Sequence, residues 1–193
     1  MPTANGDWRI FVASPFDVAE ERESVNPLVE RLNSHLNHAQ LGARLKASLA
    51  EYDVPPGGRP GGPQALIEET IPFTEFDFVL VLFWKRIGTP FGDYLSGTVR
   101  EIESAYTASQ RQALPPRIMV YEKCEPYYLT TVEEAEQVFL LTKYLRELRT
   151  RVWTKKFRTG EEFRNALHDD LYKLISTAAV EAIGKRSAGE HNA

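Results

Sequence analysis

The sequence predicts a single α/β domain built on a five-stranded, mostly parallel sheet with helices on both faces. Short apolar segments typical of strands alternate along the chain with amphipathic segments typical of helices. Such alternation favours parallel strands joined by right-handed crossovers. The 193 residues are the usual size of one domain, and an apolar content of 42% can fill one core.

The first two strands flank a helix. Residues 8–14 form a short apolar run that ends at a Ser-Pro pair, which predicts a buried strand. Apolar residues recur at helical spacing over residues 25–36, and Pro27 should kink or divide this helix. Residues 44–52 alternate apolar and polar side chains, as on a half-exposed edge strand.

A long loop follows the second strand. Residues 53–63 contain four glycines and four prolines, which cannot continue a helix or a strand. A loop of this length in a compact domain is more often functional than accidental. A short helix near residues 64–71 then leads to residues 76–84, which are apolar on both faces except at Asp77 and therefore predict the central strand.

The second half of the chain repeats this alternation. The patterns predict a helix over residues 97–112, a strand over 117–121, a helix with apolar positions from 138 to 148, a short fifth strand over 151–154, and a long last helix with an apolar stripe from Phe163 to Ala182. Five such units favour the flavodoxin-like strand order 2-1-3-4-5. In this order, ligands bind beyond the carboxyl ends of strands one and three.

Composition restricts the classes of function. Residues 1–7 are predicted to be disordered, residues 8–184 to form the domain, and residues 185–193 to be a polar tail or linker. The net charge of −4 without a basic block argues against a nucleic-acid partner. Because no signal peptide or membrane-spanning run is seen, we expect a cytoplasmic protein without a membrane partner. The lone Cys124 and the scattered histidines predict no metal site.

Several common chemistries lack their motifs. The sequence has no Gly-x-x-x-x-Gly-Lys-Ser/Thr or Gly-x-Gly-x-x-Gly element, which argues against a nucleoside triphosphatase. A phosphate-accepting receiver domain would need acidic residues after strands one and three, where this chain has Ala13-Ser14 and Phe83-Trp84.

One glutamate remains as a candidate catalytic residue. Glu101 lies near the start of the helix that follows strand three, beside the predicted crevice. Helix N-terminal amides favour its ionised form, which suits it to stabilise a ribosyl cation. The alternative is structural, because Thr98-x-x-Glu101 has the spacing of a capping box, as does Asp17-x-x-Glu20. Phe16 and Trp84 are likewise either base-stacking aromatics or core residues.

An ordered series of motifs resembles one protein family. Residues 11–22 (FVASPFDVAEER), 53–57 (DVPPG), 83–90 (FWKRIGTP) and Ser96-Gly97-Thr98 followed by Glu101 are similar to the TIR-like domain of unknown function found at the N-terminus of many STAND and NACHT ATPases. The similarity spans roughly residues 8 to 175.

The resemblance implies a TIR-type flavodoxin-like fold and a superfamily whose active members hydrolyse NAD, often in bacterial immune or antiphage defence. It also implies that Glu101 is catalytic, that Ser96 accompanies it, that Phe16 lies near a base, and that residues 53–62 contribute to assembly. A fused or associated STAND/NACHT-type ATPase and self-association are the partners it suggests, with NAD as substrate and no cofactor.

Three functional hypotheses follow. In the first, the protein cleaves NAD, with Glu101 catalytic and with substrate-binding residues in the crevice at Ser14, Phe16, Trp84, Arg86 and Ser96. In the second, it is a non-catalytic module that transmits signals by self-association. In the third, it acts on nucleosides, like a nucleoside deoxyribosyltransferase.

Overall fold

The computed structural model describes residues 7–49, 73–111 and 116–190. In this part of the chain, five parallel strands form one sheet in the order β2-β1-β3-β4-β5. The strands are β1 (Asp7–Ala13), β2 (Arg44–Leu49), β3 (Phe78–Phe83), β4 (Arg117–Lys123) and β5 (Thr154–Phe157). The predicted flavodoxin-like order is confirmed.

Helices cover both faces of the sheet. They are α1 (Ala19–Glu23), α2 (Val25–His38), α3 (Gly97–Arg111), α4 (Val132–Leu148) and α5 (Gly160–Glu190). Helices α2 and α5 pack on one face against residues such as Ile10 and Leu80, while α3 and α4 pack on the other against Phe11 and Val81. All six side chains of β3 are therefore buried, which confirms it as the central strand.

The edge strands differ in how well their sequences predict them. In β2, Leu45 and Leu49 are buried and the intervening Lys46 is exposed, as the alternation predicts. The prediction of strand five at residues 151–154 is wrong, because pairing with β4 begins only at Thr154. Trp153 precedes the strand and is 91% exposed. The strand itself contains two exposed lysines, which suit an unprotected sheet edge but carry no apolar signal.

The predicted division of the helix at Pro27 is wrong, because α2 runs without a break from Val25 to His38. Helix α1 ends at Glu23 and α2 starts at Val25, so Pro27 lies in the first turn of α2, where its missing N–H leaves no bond unmade.

The ends of the domain differ from their predicted bounds. Strand β1 begins at Asp7, and α5 continues to Glu190 through part of the segment predicted to be a tail. The predicted loop 53–63 and helix 64–71 lie outside the described residues. No helix in the described ranges is long and apolar enough to cross a membrane.

A charged cluster joins α3, α4 and the turn before β5. The Arg151 guanidinium donates to both carboxylate oxygens of Glu103, at 2.7 and 2.9 Å, and the Tyr144 hydroxyl donates to the same carboxylate at 3.0 Å. The hydrogen bonds from Arg151 hold the pKa of Glu103 below its ordinary value, against the opposing effect of burial. The cluster therefore stabilises the fold only while Glu103 is ionised.

We expect Glu103→Gln to lower the free energy of unfolding at pH 7 by about 1–3 kcal/mol, because it breaks a bidentate charged pair. A lowered folded-state pKa contributes stability above the ordinary value of 4.5 that disappears as the pH falls through the folded value. The difference between the two proteins should thus shrink below pH 4.5. Urea unfolding at several pH values measures it, with the exposed Glu136→Gln as control. A difference independent of pH would contradict this assignment.

Candidate functional site

The switch point of the sheet lies where β1 and β3 end side by side, with Ala13 paired to Val81. A single carboxylate joins the loops that follow these strands. The Asp17 Oδ2 atom accepts the backbone N–H groups of Lys85, at 3.0 Å, and Arg86, at 3.1 Å. Burial raises the pKa of Asp17, although these hydrogen bonds oppose the rise. Asp17 thus defines one wall of the crevice.

The sequence does not indicate this role, because the spacing of Asp17 and Glu20 is that of a capping box. In the structure, Asp17 lies within a short 3₁₀ turn, Phe16–Val18, and α1 has no side-chain N-cap. The other carboxylate oxygen, Oδ1, is buried and has no hydrogen-bond partner among the described residues. An acidic residue close after the first strand was the only available signal for this role.

Phe16 projects from the crevice instead of filling the core. Its side chain is 69% exposed, and the Arg86 guanidinium lies 4.6 Å from the centre of its ring. This distance is typical of a cation–π contact. The structure therefore brings together two of the predicted substrate-binding residues.

Trp84 belongs to a cluster of aromatic rings and cations between β3 and β4. Its indole N–H donates to the Glu125 carbonyl at 3.0 Å, and the Tyr127 ring packs edge-on at 5.7 Å. The ammonium groups of Lys85 and Lys123 lie 4.8 and 4.5 Å from the Trp84 ring. Trp84 is thus half-buried, and polar contacts fix its orientation.

Lys123 connects this cluster to α1. Its ammonium group lies 3.0 Å from the buried Glu21 carboxylate and 2.9 Å from that of Glu125. Burial lowers the pKa of Lys123, but the hydrogen bonds with Glu125 and Glu21 outweigh burial and raise it above its ordinary value. Lys123 therefore remains charged, and its charge is matched by protein carboxylates.

Ser14 is held by the same helix. The Arg22 guanidinium donates to the Ser14 hydroxyl oxygen at 3.1 Å and to the Val12 carbonyl at 3.0 Å. The half-buried Ser14 therefore stands at the end of β1 with one acceptor position occupied.

Ser96 is the N-cap of α3. Its hydroxyl oxygen accepts the Val99 N–H at 3.1 Å, and the residue is fully buried. Gly88 allows this arrangement, because it has φ +109° and a Cβ atom there would lie 3.0 Å from the Ser96 Cβ. The capping-box interpretation, with Thr98 as the N-cap, is therefore wrong.

Glu101 consequently lies in the second turn of α3, two positions beyond the third helical residue that a capping-box glutamate occupies. Its side chain is 7% exposed and shares the inner side of the helix with Thr98, also 7% exposed, and with the core residue Ile102. The structure thus places the predicted catalytic carboxylate near the switch-point end of the sheet, in a desolvated environment close to a helix N-terminus.

Two further contacts hold the segment between β3 and α3. The Gln137 side-chain oxygen accepts the backbone N–H groups of Ile87, at 3.1 Å, and Gly88, at 3.2 Å. The Arg100 guanidinium lies 4.8 Å from the Phe91 ring and 5.5 Å from the Tyr94 ring. Gln137 is fifty residues away from Ile87 in sequence, so no local pattern could have indicated its role.

Comparison with models of known protein families and with curated protein sequences gives no match. In the described part of the chain, no three His, Cys, Asp or Glu side chains are grouped so that they could hold a metal ion. We therefore infer function from the residues at the crevice.

We expect Gly88→Ala to lower the free energy of unfolding by roughly 2–4 kcal/mol, because it combines an unfavourable backbone conformation with a steric clash against the cap of α3. Gly92→Ala is the matched control, since Gly92 also has positive φ but open space around its Cβ position. That control should cost only about 1–2 kcal/mol. Equal losses in urea unfolding would show that the Gly88–Ser96 contact does not position α3.

Proposed function

We propose that this chain is a TIR-like effector or signalling domain that hydrolyses the nicotinamide–ribose bond of NAD, with Glu101 as its catalytic residue. One observation carries the proposal. Glu101 is 7% exposed in the second turn of α3, the helix that follows the central strand. Buried ionisable groups in a cleft are candidates for catalysis because their surroundings strengthen electrostatic effects.

Hydrolysis of the nicotinamide–ribose bond requires few catalytic groups from the protein. The C1′–N bond breaks, its electron pair neutralises the nicotinamide ring nitrogen, and a ribosyl cation is left. Water adds to C1′, and its proton passes to Glu101 and then to solvent, so the products are nicotinamide, ADP-ribose and a proton. Because the leaving group departs as a neutral molecule, no general acid is required.

An ionised carboxylate is the group that this transition state needs. A negative charge about 4 Å from the developing cation would contribute on the order of 4 kcal/mol at an effective dielectric constant near 20. The low exposure of Glu101 keeps this interaction from being screened by bulk water.

The resemblance of residues 11–22, 83–90 and 96–101 to TIR-like domains supports the same proposal. The same resemblance suggests the biological role: a cytoplasmic domain that works in bacterial antiphage defence beside a fused or associated STAND/NACHT-type ATPase. NAD serves as the substrate, and the reaction needs no cofactor.

We expect concentrated protein to release nicotinamide from NAD and Glu101→Gln to reduce this release at least 100-fold, since the amide cannot stabilise a cation. Glu103→Gln is the matched control: it is the same substitution on the same helix, and Glu103 is paired with Arg151. The control should retain release at temperatures where it remains folded. Chromatography of nicotinamide and ADP-ribose, with thermal melts of each variant, measures both results.

Undiminished release by Glu101→Gln would remove Glu101 from catalysis. A panel that includes free nucleosides tests the third hypothesis. Cleavage of nucleosides with NAD left intact would replace NAD hydrolysis with a nucleoside deoxyribosyltransferase-like activity.

A specific surface favours a second candidate function, self-association without catalysis. Val132 and Phe139 are 71% and 68% exposed on the same side of α4, and Tyr128 just before this helix is 92% exposed. Exposed Glu133 and Glu136 accompany them. Monomeric proteins rarely leave apolar side chains grouped in this way without a partner.

A second copy of the chain offers a complementary surface at β5. Trp153 is 91% exposed there, and the exposed Lys156 and Arg158 follow it. Apolar side chains accompanied by acidic residues on one copy would face an indole accompanied by basic residues on the next. Contacts between two different surfaces generate closed rings or open chains of subunits.

We expect sedimentation of the wild-type protein to show concentration-dependent oligomers that Phe139→Glu and Trp153→Glu each weaken at least tenfold. Val180→Glu is the control, because Val180 is 59% exposed on α5, which packs on the opposite face of the sheet from α4. A monomer at all concentrations would contradict this candidate function. Oligomers without nicotinamide release would favour it over NAD hydrolysis.

A further inference from the structure

Several cations in the described ranges are matched by carboxylates. Arg151 binds Glu103, Arg149 binds Glu122, and Lys123 lies between Glu21 and Glu125. This pairing is expected, because removing a charge from water is costly unless an opposite charge compensates. A half-buried cation without such a partner therefore needs an explanation.

Lys85 and Arg86, at the end of β3, are exceptions. Both are half-buried, yet neither has a carboxylate oxygen within 4.0 Å among the described residues. Their side-chain charges face aromatic rings instead: Lys85 lies 4.8 Å from Trp84, and Arg86 lies 4.6 Å from Phe16. The Arg86 Nε atom is buried and has no hydrogen-bond partner in the same part of the chain.

Asp17 does not neutralise these cations through a direct contact. Its Oδ2 atom is occupied by the backbone N–H groups of Lys85 and Arg86, and its Oδ1 atom has no hydrogen-bond partner among the described residues. The charge of Arg86 acts on Asp17 over a longer distance, where it opposes the rise that burial causes in the pKa of Asp17. The terminal N–H groups of Arg86 are therefore the donors that can meet a ligand with negative charge, such as a ribose phosphate.

The guanidinium suits phosphate in particular. A guanidinium that packs against an aromatic ring can still offer its two terminal nitrogens to a phosphate, and in Arg86 only Nε is buried without a hydrogen-bond partner among the described residues. Phe16 is 69% exposed, so it has room to stack on a base. Lys85 adds a second positive charge from the adjacent position.

The site also lies within reach of Glu101. Arg86 is two residues from Gly88, a span of at most about 7 Å. A Cβ atom at Gly88 would lie 3.8 Å from the Thr98 hydroxyl oxygen, and Thr98 is about one helical turn before Glu101. A dinucleotide that is held by its phosphates near Arg86 can place a ribose near the Glu101 carboxylate.

We propose that Arg86, assisted by Lys85, binds the diphosphate of a dinucleotide substrate, while Phe16 stacks on one of its bases and Asp17 holds the backbone of Lys85 and Arg86 in place. The identity of the substrate rests on the proposed function. The phosphate site itself rests on two cations that have no carboxylate oxygen within 4.0 Å among the described residues, and on their aromatic neighbours.

Binding of ADP-ribose and adenosine tests the site without any bond cleavage. Titration calorimetry of the wild-type protein should show ADP-ribose bound at least tenfold more tightly than adenosine, and this preference should weaken as salt is raised. Arg86→Gln should remove the preference by weakening ADP-ribose and leaving adenosine nearly unchanged. Arg86→Lys should fall between them, because it keeps the charge but loses the bidentate geometry.

Arg146→Gln is the control, since Arg146 is an exposed arginine in the last turn of α4. It should bind both ligands as the wild type does. Thermal melts of every variant show whether an observed loss reflects unfolding. Equal binding of ADP-ribose by Arg86→Gln and the wild type would overturn the proposal, as would the absence of any preference for ADP-ribose in the wild type.

Failure of this site and failure of the proposed function give different results. Arg86-dependent binding of ADP-ribose without cleavage of NAD would keep the phosphate site and remove the hydrolase. Nicotinamide release by Arg86→Gln with unchanged KM for NAD would keep the hydrolase and remove the phosphate site.

Discussion

The parallel pairing of β1 with β3 determines where a ligand can bind to this protein. The two strands are separated by more than sixty residues in sequence, yet they end together, with Ala13 beside Val81. Asp17 joins the segments that follow them by accepting two backbone N–H groups. In a sheet of this strand order, ligands are expected beyond these strand ends.

At the start of α3, one residue caps the helix and another supplies the candidate catalytic carboxylate. Ser96 satisfies an unpaired amide of the helix, so the cap does not depend on a glutamate. Glu101 lies a turn further along, on the inner side of the helix, where its charge is shielded from water. Ionisable groups with low exposure are candidates for function, because their surroundings strengthen electrostatic effects.

Strong periodicity explains which parts of the fold could be predicted. The uninterrupted apolar run of β3 and the apolar stripe of α2 determine the type of secondary structure, because the apolar side chains of each have to face a core. The limits of β5 could not be predicted, since an edge strand of four residues with two lysines resembles a loop. The position of Glu101 after the central strand could be predicted from the topology. The N-cap of α3 could not, because it depends on the close approach of Gly88 to Ser96, which lies two residues before Thr98.

Hydrolysis by the proposed mechanism requires the Glu101 side chain to face the reacting ribose. A crystal structure of Glu101→Gln soaked with NAD measures this directly, because the variant should bind the dinucleotide without cleaving it. We predict density for the nicotinamide riboside with its C1′ atom within about 4 Å of the substituted side chain at position 101, the distance at which a carboxylate would stabilise the cation. Intact NAD bound elsewhere, with its riboses remote from α3, would contradict the account.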